Sequence, residues 1–194
     1  MILTSEQLQF DNRTYKDPKH RILNMSRKGE IIPIKRGLYE TDSNTPGISI
    51  ANALLGPSYI SFEYALSYYG LIPERVEVYT SATFGKRKAI EFTNVFGTYQ
   101  YRDIPQQVYP YFYTRMMIGD RPVLIATKEK ALCDTLYTIS PIRGLANFEE
   151  YLFDGMRLDE DEFLELDRNK IIKIAPMYHK TNLDQLINLM ERIK

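Results

Sequence analysis

The sequence predicts an α+β protein in two parts. A small helix-and-hairpin unit occupies residues 1–42, and a mixed α/β domain with a small, mostly antiparallel sheet occupies residues 43–194. Three observations carry this reading. A helix-like run from Asp17-Pro18 to Gly29 meets two short apolar pieces joined by Lys35-Arg36-Gly37. A polar, turn-rich stretch, TDSNTPG at 41–47, marks a change of composition. Beyond it, strand-like runs with turn signals are bracketed by helical ones.

The elements follow in order. TSEQLQF (4–10) has the polar start of a short helix capped by Thr4 or Ser5. Asp17 then offers an acid at the N-cap and Pro18 a residue that loses no amide bond in a first turn. This second helix should run to about Lys28, with Gly29 as left-handed C-cap. Ile22, Met25 and Leu23 form its inward stripe, and His20, Arg21, Asn24, Arg27 and Lys28 lie on or near the other side. EIIPI and LYE read as short strands, and Pro33, which donates no ladder bond, puts its strand at an edge. Helix, glycine turn and edge hairpin together describe the last helix and wing of a winged-helix unit. That unit is truncated, because only about sixteen residues precede Asp17, where a complete one has a further helix.

In the larger part, ISIANALLG predicts a short helix, and ISFEYALSYYG predicts another, capped by Ser61 and ended by Gly70. VEVYTSAT, KAIEFTNVF, TYQYRDI and PVLIA are strand candidates, with turns at Phe84-Gly85-Lys86 and Phe96-Gly97. Thr127 caps KEKALCDTLYTI, a helical pair follows near 145–154 and 159–166, and IIKIAP has the composition of a strand. Asn182, with Gln185 three residues on, predicts a capping box on a last helix whose stripe is Leu183, Leu186, Ile187, Met190 and Ile193.

Composition narrows the function classes. Hydrophobic residues at 44% suffice for an ordinary core and argue against disorder. One cysteine, Cys133, excludes an internal disulfide framework and a cysteine-based zinc site. With no signal-peptide pattern and no apolar run of membrane-spanning length, the expectation is a reduced, cytoplasmic protein with no membrane partner. Phosphate-loop and HExxH patterns are missing, so neither a metal nor another cofactor is expected. Glu129, Lys130 and Asp134 lie close on one helix, yet a nuclease site needs a further acid on a strand to hold a metal. Cys133 has no adjacent base and reads as a core residue.

Lys+Arg and Asp+Glu balance at 25 each, so net charge is silent about nucleic acid, but its distribution is not. Residues 11–39 hold eight Lys/Arg against three acids, while residues 145–170 hold nine acids against Arg157, Arg168 and Lys170. A reading helix needs donors that reach base edges and a wing that holds phosphate. Arg21, Asn24 and Arg27 suit purine edges, and Lys19, Lys28, Lys35 and Arg36 suit phosphates. A solvated basic helix and hairpin is the alternative reading of the same residues.

Four stretches together carry a family resemblance: NMSRKGEIIPIKRGLYE (24–40), IANALLGPSYISFEYALSYYGLIPE (50–74), VYTSATFGKRKAIEFTNVFGTYQYRDI (78–104) and VLIATKEKALCDTLY (123–137). On them the sequence resembles the AbiEi-like antitoxin and transcriptional-regulator family of type IV toxin–antitoxin systems. The resemblance implies an N-terminal winged helix that binds promoter DNA and a C-terminal region that opposes a nucleotidyltransferase-like toxin. It places Arg21, Asn24, Arg27 and Lys28 in the recognition helix, Lys35 and Arg36 in the wing, and Gly37 at the wing turn. Tyr59, Ser61, Ala65, Leu66, Tyr68 and Gly70, and later Thr127, Glu129, Lys130, Ala131, Leu132 and Asp134, match signatures whose role is structural. The expectation is therefore a non-enzymatic DNA-binding regulator and antitoxin, whose partners are promoter DNA and a cognate toxin. The alternatives are a protein-interaction domain without DNA binding and a nuclease-like enzyme using Glu129.

Overall fold

Local hydrogen bonding sets the N-terminal unit. Strand β1 (Ile2–Thr4) runs directly into helix α1 (Ser5–Asp11) because Thr4 and Gln7 close a capping box, with the Gln7 amide donating to Thr4 Oγ1 at 3.2 Å and the Thr4 amide to Gln7 Oε1 at 2.8 Å. Asp17 starts helix α2 (Pro18–Arg27) by accepting from the His20 amide at 3.0 Å. Beyond it Gly29 takes φ +73°, as its place after the helix requires. Strands β2 (Ile32–Lys35) and β3 (Leu38–Glu40) form the hairpin, and Gly37 makes its turn at φ +81°. The antiparallel order is β1-β3-β2, so Pro33 lies on an edge strand, as its missing amide demands. Strand β1 has no counterpart in the sequence reading. Pairing with β3 gives those three residues their extended form.

This computed structural model describes residues 1–192, which form an α+β fold with mixed helices and two open sheets. Leu8, Ile22 and Ile31 make a small core under Leu3, Met25 and Tyr39. Leu23 does not join them. It is 47% exposed, a correction to the expected stripe, because the 3.6-residue repeat turns it away from Ile22 and Met25.

A turn of 3₁₀ helix over Gly47–Ile50 leads into the short helix α3 (Ala51–Leu54). The larger sheet then combines β4 (Tyr59–Ile60), β5 (Tyr79–Thr83), β6 (Ile90–Asn94), β7 (Gly97–Asp103), β8 (Tyr113–Ile118) and β9 (Arg121–Ala126) in the order β6-β7-β5-β4-β9-β8. Its hairpin pairs β6–β7 and β8–β9 and the pair β4–β5 are antiparallel, whereas β5–β7 and β4–β9 are parallel. The β6–β7 hairpin attaches through its second strand, which makes β5 and β7 parallel. The sequence reading lacked β4, too short for a pattern, and β8, whose YTRMMI is only half-buried.

Helices cover both faces of this sheet. On one face Tyr99 and Tyr101 donate their hydroxyls to the carbonyls of Gly47 (3.0 Å) and Ala51 (2.6 Å). On the other, Arg102 makes two bonds, 2.8 and 2.7 Å, to Glu63 of α4 (Phe62–Tyr68). Helix α5 (Lys128–Thr138), capped by Thr127 as expected, is buried along 129–136. It lies between the sheet and the terminal helices α6 (Leu145–Glu150), α7 (Glu160–Leu164), α8 (Arg168–Ile174) and α9 (Thr181–Arg192).

Two expectations fail in this last region. The stretch IIKIAP is not a strand: its first four residues lie in α8, begun by Asp167, which accepts from the Asn169 amide at 3.0 Å. Buried Ile171 and Ile174 are spaced for a helix face, with Ile172 exposed between them. Asn182 does not cap α9 but sits inside its first turn, 1% exposed. It donates to the carbonyls of Leu136, Ile139 and Ser140 and accepts from the Ile142 amide, so it ties α9 to the end of α5. Leu183, Leu186 and Met190 of the α9 stripe are buried, and Ile193 lies outside the described residues.

Candidate functional site

The exposed side of α2 follows from what its inner side must do. Ile22 and Met25 are held against Leu8 and Ile31, so His20, Leu23, Asn24 and Arg27, three and four residues apart, share the strip turned to solvent. Asn24 Nδ2 lies 3.3 Å from His20 Nδ1, which fixes the two side chains side by side. Lys19 stands beside this strip, and Lys28 closes the helix at its C-cap. Basic residues there face the negative end of the helix dipole, while Asp17 faces the positive end.

The seven residues expected at a nucleic-acid interface divide into two groups. Lys19, Arg27, Lys28 and Arg36 are exposed and have no ion-pair partner among the described residues, and Asn24 lies among them half-buried. Arg21 is engaged: it meets Glu30 at 3.4 Å, and its guanidinium lies 5.4 Å from the centre of the Tyr15 ring. Lys35 turns inward, donating to the Leu54 carbonyl and lying 5.9 Å from the Phe92 ring centre. The basic run looks uniform in sequence. Only the packing separates cations facing water from those that brace the fold. Leu23 joins the exposed strip in the same way, and Phe10, 64% exposed, carries Arg13 over its ring at 4.1 Å.

Glu40 joins this unit to the larger sheet. Its side chain is fully buried and accepts two bonds from Arg121 of β9, at 2.6 and 3.1 Å. Amides of Thr41 (2.9 Å) and Asp42 (3.1 Å) and the Met1 amino group complete its surroundings. Burial pushes this carboxyl upward, but the bonds from Arg121, the Met1 amino group and the two amides outweigh it and hold Glu40 at about 2. Asn94 adds a second tie, donating to the Ile34 carbonyl at 3.1 Å. Sequence patterns carried no sign of the Glu40–Arg121 pair, whose members are 81 positions apart.

A second charged cluster lies wholly inside. Lys130 and Asp134, one turn apart on α5, meet at 2.9 Å with both side chains fully buried. Asp134 Oδ1 also accepts from Tyr178 at 2.6 Å, and Oδ2 accepts from Tyr59 at 3.0 Å and Ser61 at 2.7 Å, so both carboxylate oxygens are doubly bonded by donors. Lys130 donates in turn to the Tyr178 hydroxyl at 2.6 Å. Burial first, and then the Asp134 charge, push the Tyr59 and Tyr178 phenols well up, which keeps them donors. Ser61 precedes α4 but makes no capping bond, because its hydroxyl is spent on Asp134. Cys133 is buried between these groups, and burial pushes its thiol up.

Glu129 is a buried carboxylate at the start of α5. It is 5% exposed, accepts from Thr127 Oγ1 at 2.7 Å and the Asp167 amide at 3.1 Å, and lies 3.4 Å from Lys170. Burial raises it, and these bonds together with Lys170 more than reverse the effect, so its net shift is downward. The cluster therefore connects α5 to α8. Among the described residues no three His, Cys, Asp or Glu side chains are grouped to hold a metal ion, and no helix is long and apolar enough to cross a membrane. No protein-family model and no curated protein matches the chain.

Proposed function

We propose that this chain is a non-enzymatic DNA-binding regulator and antitoxin of a type IV toxin–antitoxin operon. The N-terminal unit contacts promoter DNA, and the larger domain opposes a nucleotidyltransferase-like toxin. In this reading α1 and α2 are the helix–turn–helix pair of a winged helix, and the β2–β3 hairpin is its wing. The observation that carries the reading is the set of unpaired, exposed cations Lys19, Arg27, Lys28 and Arg36, alongside Asn24, on the solvent side of α2 and at the hairpin turn. Unpaired surface cations can exchange counterions for phosphates, and Asn24 and Arg27 have the donors that purine edges accept. Leu23 within the strip supports the same reading, since an apolar side chain suits a thymine methyl.

The salt dependence of affinity for the protein's own upstream duplex, against a shuffled duplex, tests the DNA half. The three exposed phosphate contacts, Lys19, Lys28 and Arg36, should by themselves give a slope of log affinity on log salt near roughly −2.7, at about −0.9 per contact. Weak binding that is indifferent to salt and sequence would remove this half. Growth rescue on co-expression with a neighbouring nucleotidyltransferase-like toxin tests the other. A second reading, a protein-interaction domain without DNA binding, is favoured by the internal engagement of Arg21 and Lys35, which leaves the head fewer available cations than its composition suggests.

A further inference from the structure

Of the nine acids between residues 145 and 170, the fold occupies some and leaves others free. Glu162 is paired with Lys128 and Glu149 with Arg192, while Asp159 and Asp167 accept from the amides that open α7 and α8. Glu150, Asp154, Glu160, Asp161 and Glu165 are exposed with no ion-pair partner among the described residues. These free carboxylates border an apolar groove.

Glu149, Phe153, Glu160, Phe163 and Leu164 line this groove, whose volume is about 190 Å³. It lies where α6 passes into a π-helical turn, Tyr151–Gly155, beside α7. The Phe153 and Phe163 rings meet edge-on with centres 5.3 Å apart and form its floor. Phe163 is buried, so Leu164, the next residue of the same short helix, turns outward and is 61% exposed. An apolar centre with a charged rim is the layout of a contact surface.

Helix α2 carries the complement. Lys19, Leu23 and Arg27 follow one another at four-residue spacing, so an exposed leucine stands between two unpaired cations along about 12 Å of helix. Within one chain the two surfaces do not meet. The N-terminal unit is tied down through Glu40 to Arg121 and through Ile34 to Asn94, and neither Lys19 and Arg27 nor Glu160 has an ion-pair partner among the described residues. We infer that the groove binds α2 of a second copy of this chain, with Leu23 against Phe163 and Leu164 and with Lys19 and Arg27 facing Glu160 and the adjacent acids. The contact is an amphipathic helix laid in a groove. A formal net charge of zero lets two copies approach without net repulsion while their opposite patches attract. Groove and helix are different surfaces, so the contact is head-to-tail and either closes as a ring or continues as a chain. Copies joined in this way are closed to duplex DNA through α2. That consequence rests on the DNA-binding reading above, and the self-association does not.

Sedimentation velocity of the full chain, across salt and protein concentration, tests the inference. The wild type should self-associate at low salt and separate as salt rises, because screening weakens the charged rim. Leu23→Gln and Leu164→Gln, both at exposed positions, should each weaken association at least about tenfold with unchanged circular dichroism melts. A mixture of these two variants should re-form a pair, since each supplies the surface that the other lacks. Arg27→Glu and Glu160→Lys should each dissociate the assembly, and the two changes in one chain should restore it. A wild type that stays monomeric at low salt overturns the inference, as does association that survives both leucine variants. Added upstream duplex should dissolve the assembly. Duplex bound without dissolving it overturns the docking of α2, whereas self-association of a protein that binds no duplex supports the inference and removes the DNA-binding reading.

Discussion

Helix α2 and helix α5 both carry lysine or arginine within a turn of a polar partner, and they use them under opposite conditions. On α2, Lys19, Arg27 and Lys28 stand in water, where a cation holds its hydration and contributes little to folding. On α5, Lys130 is stripped of water and held by Asp134 and the Tyr178 hydroxyl, while the hydroxyls of Tyr59, Ser61 and Tyr178 surround the Asp134 carboxylate. Removing water from an ion pair costs several kcal/mol per ion, so such a pair persists only when its surroundings are complete. What differs is availability. An exposed cation is free to exchange its counterion for a phosphate, while a buried one joins α5 to β4 and to the segment before α9 and is closed to any ligand. The stretch around residues 127–134 thus forms a structural lock, and the candidate contact surface lies in the exposed basic run.

Three substitutions would break or sharpen this contrast. The largest effect should come from Lys130→Met, which leaves the buried Asp134 charge without its cation and should cost about 3–5 kcal/mol, read from the denaturant midpoint. The double variant Lys130→Met, Asp134→Asn should lose less than the two single losses combined, because the groups form one network. A Lys130→Met loss below about 1 kcal/mol would mean that the inside cluster tolerates change as a surface does.

Arg121→Ala should follow, at roughly 1.5–3 kcal/mol, since Glu40 keeps its amides but loses a charged donor. Glu40 also sets a pH dependence. Its folded value is depressed to about 2 from an ordinary 4.5, so its contribution is complete above about 4.5 and is lost as pH falls toward about 2. Unfolding free energies measured across that window should fall for the wild type and fall less for Arg121→Ala. Equal slopes in the two proteins would assign the acid sensitivity to other carboxylates.

The smallest effect on stability should be that of Lys28→Gln, within about 0.5 kcal/mol, accompanied by a salt slope flatter by about 0.9 on duplex DNA. Destabilisation comparable to that of Lys130→Met would erase the distinction between the two helices.

How much of this was legible in the sequence depends on the range of the forces involved. Thr4, Asp17, Gly29 and Thr127 were readable as caps, because each acts on amides or dihedrals within a few residues. The edge position of Pro33 followed from its lacking a donor. The same local reasoning misplaced Asn182, whose polar atoms satisfy the end of α5 some 40 positions away, and read IIKIAP as a strand from its β-branched composition although Asp167 had already set a helix. The site was legible as a basic run but not as a surface.

By itself, then, the sequence determined the helix caps at Thr4, Asp17, Gly29 and Thr127, the N-terminal order of helix, helix and hairpin, the concentration of cations in residues 11–39 and the burial of Cys133. The tertiary structure alone decided that Lys35 and Arg21 brace the fold while Arg27 and Arg36 face water, and that Glu40 meets Arg121. Caps and periodicity are short-range and written in consecutive residues. The fate of a charge depends on which distant groups exclude water from it, and only the folded chain brings those groups together.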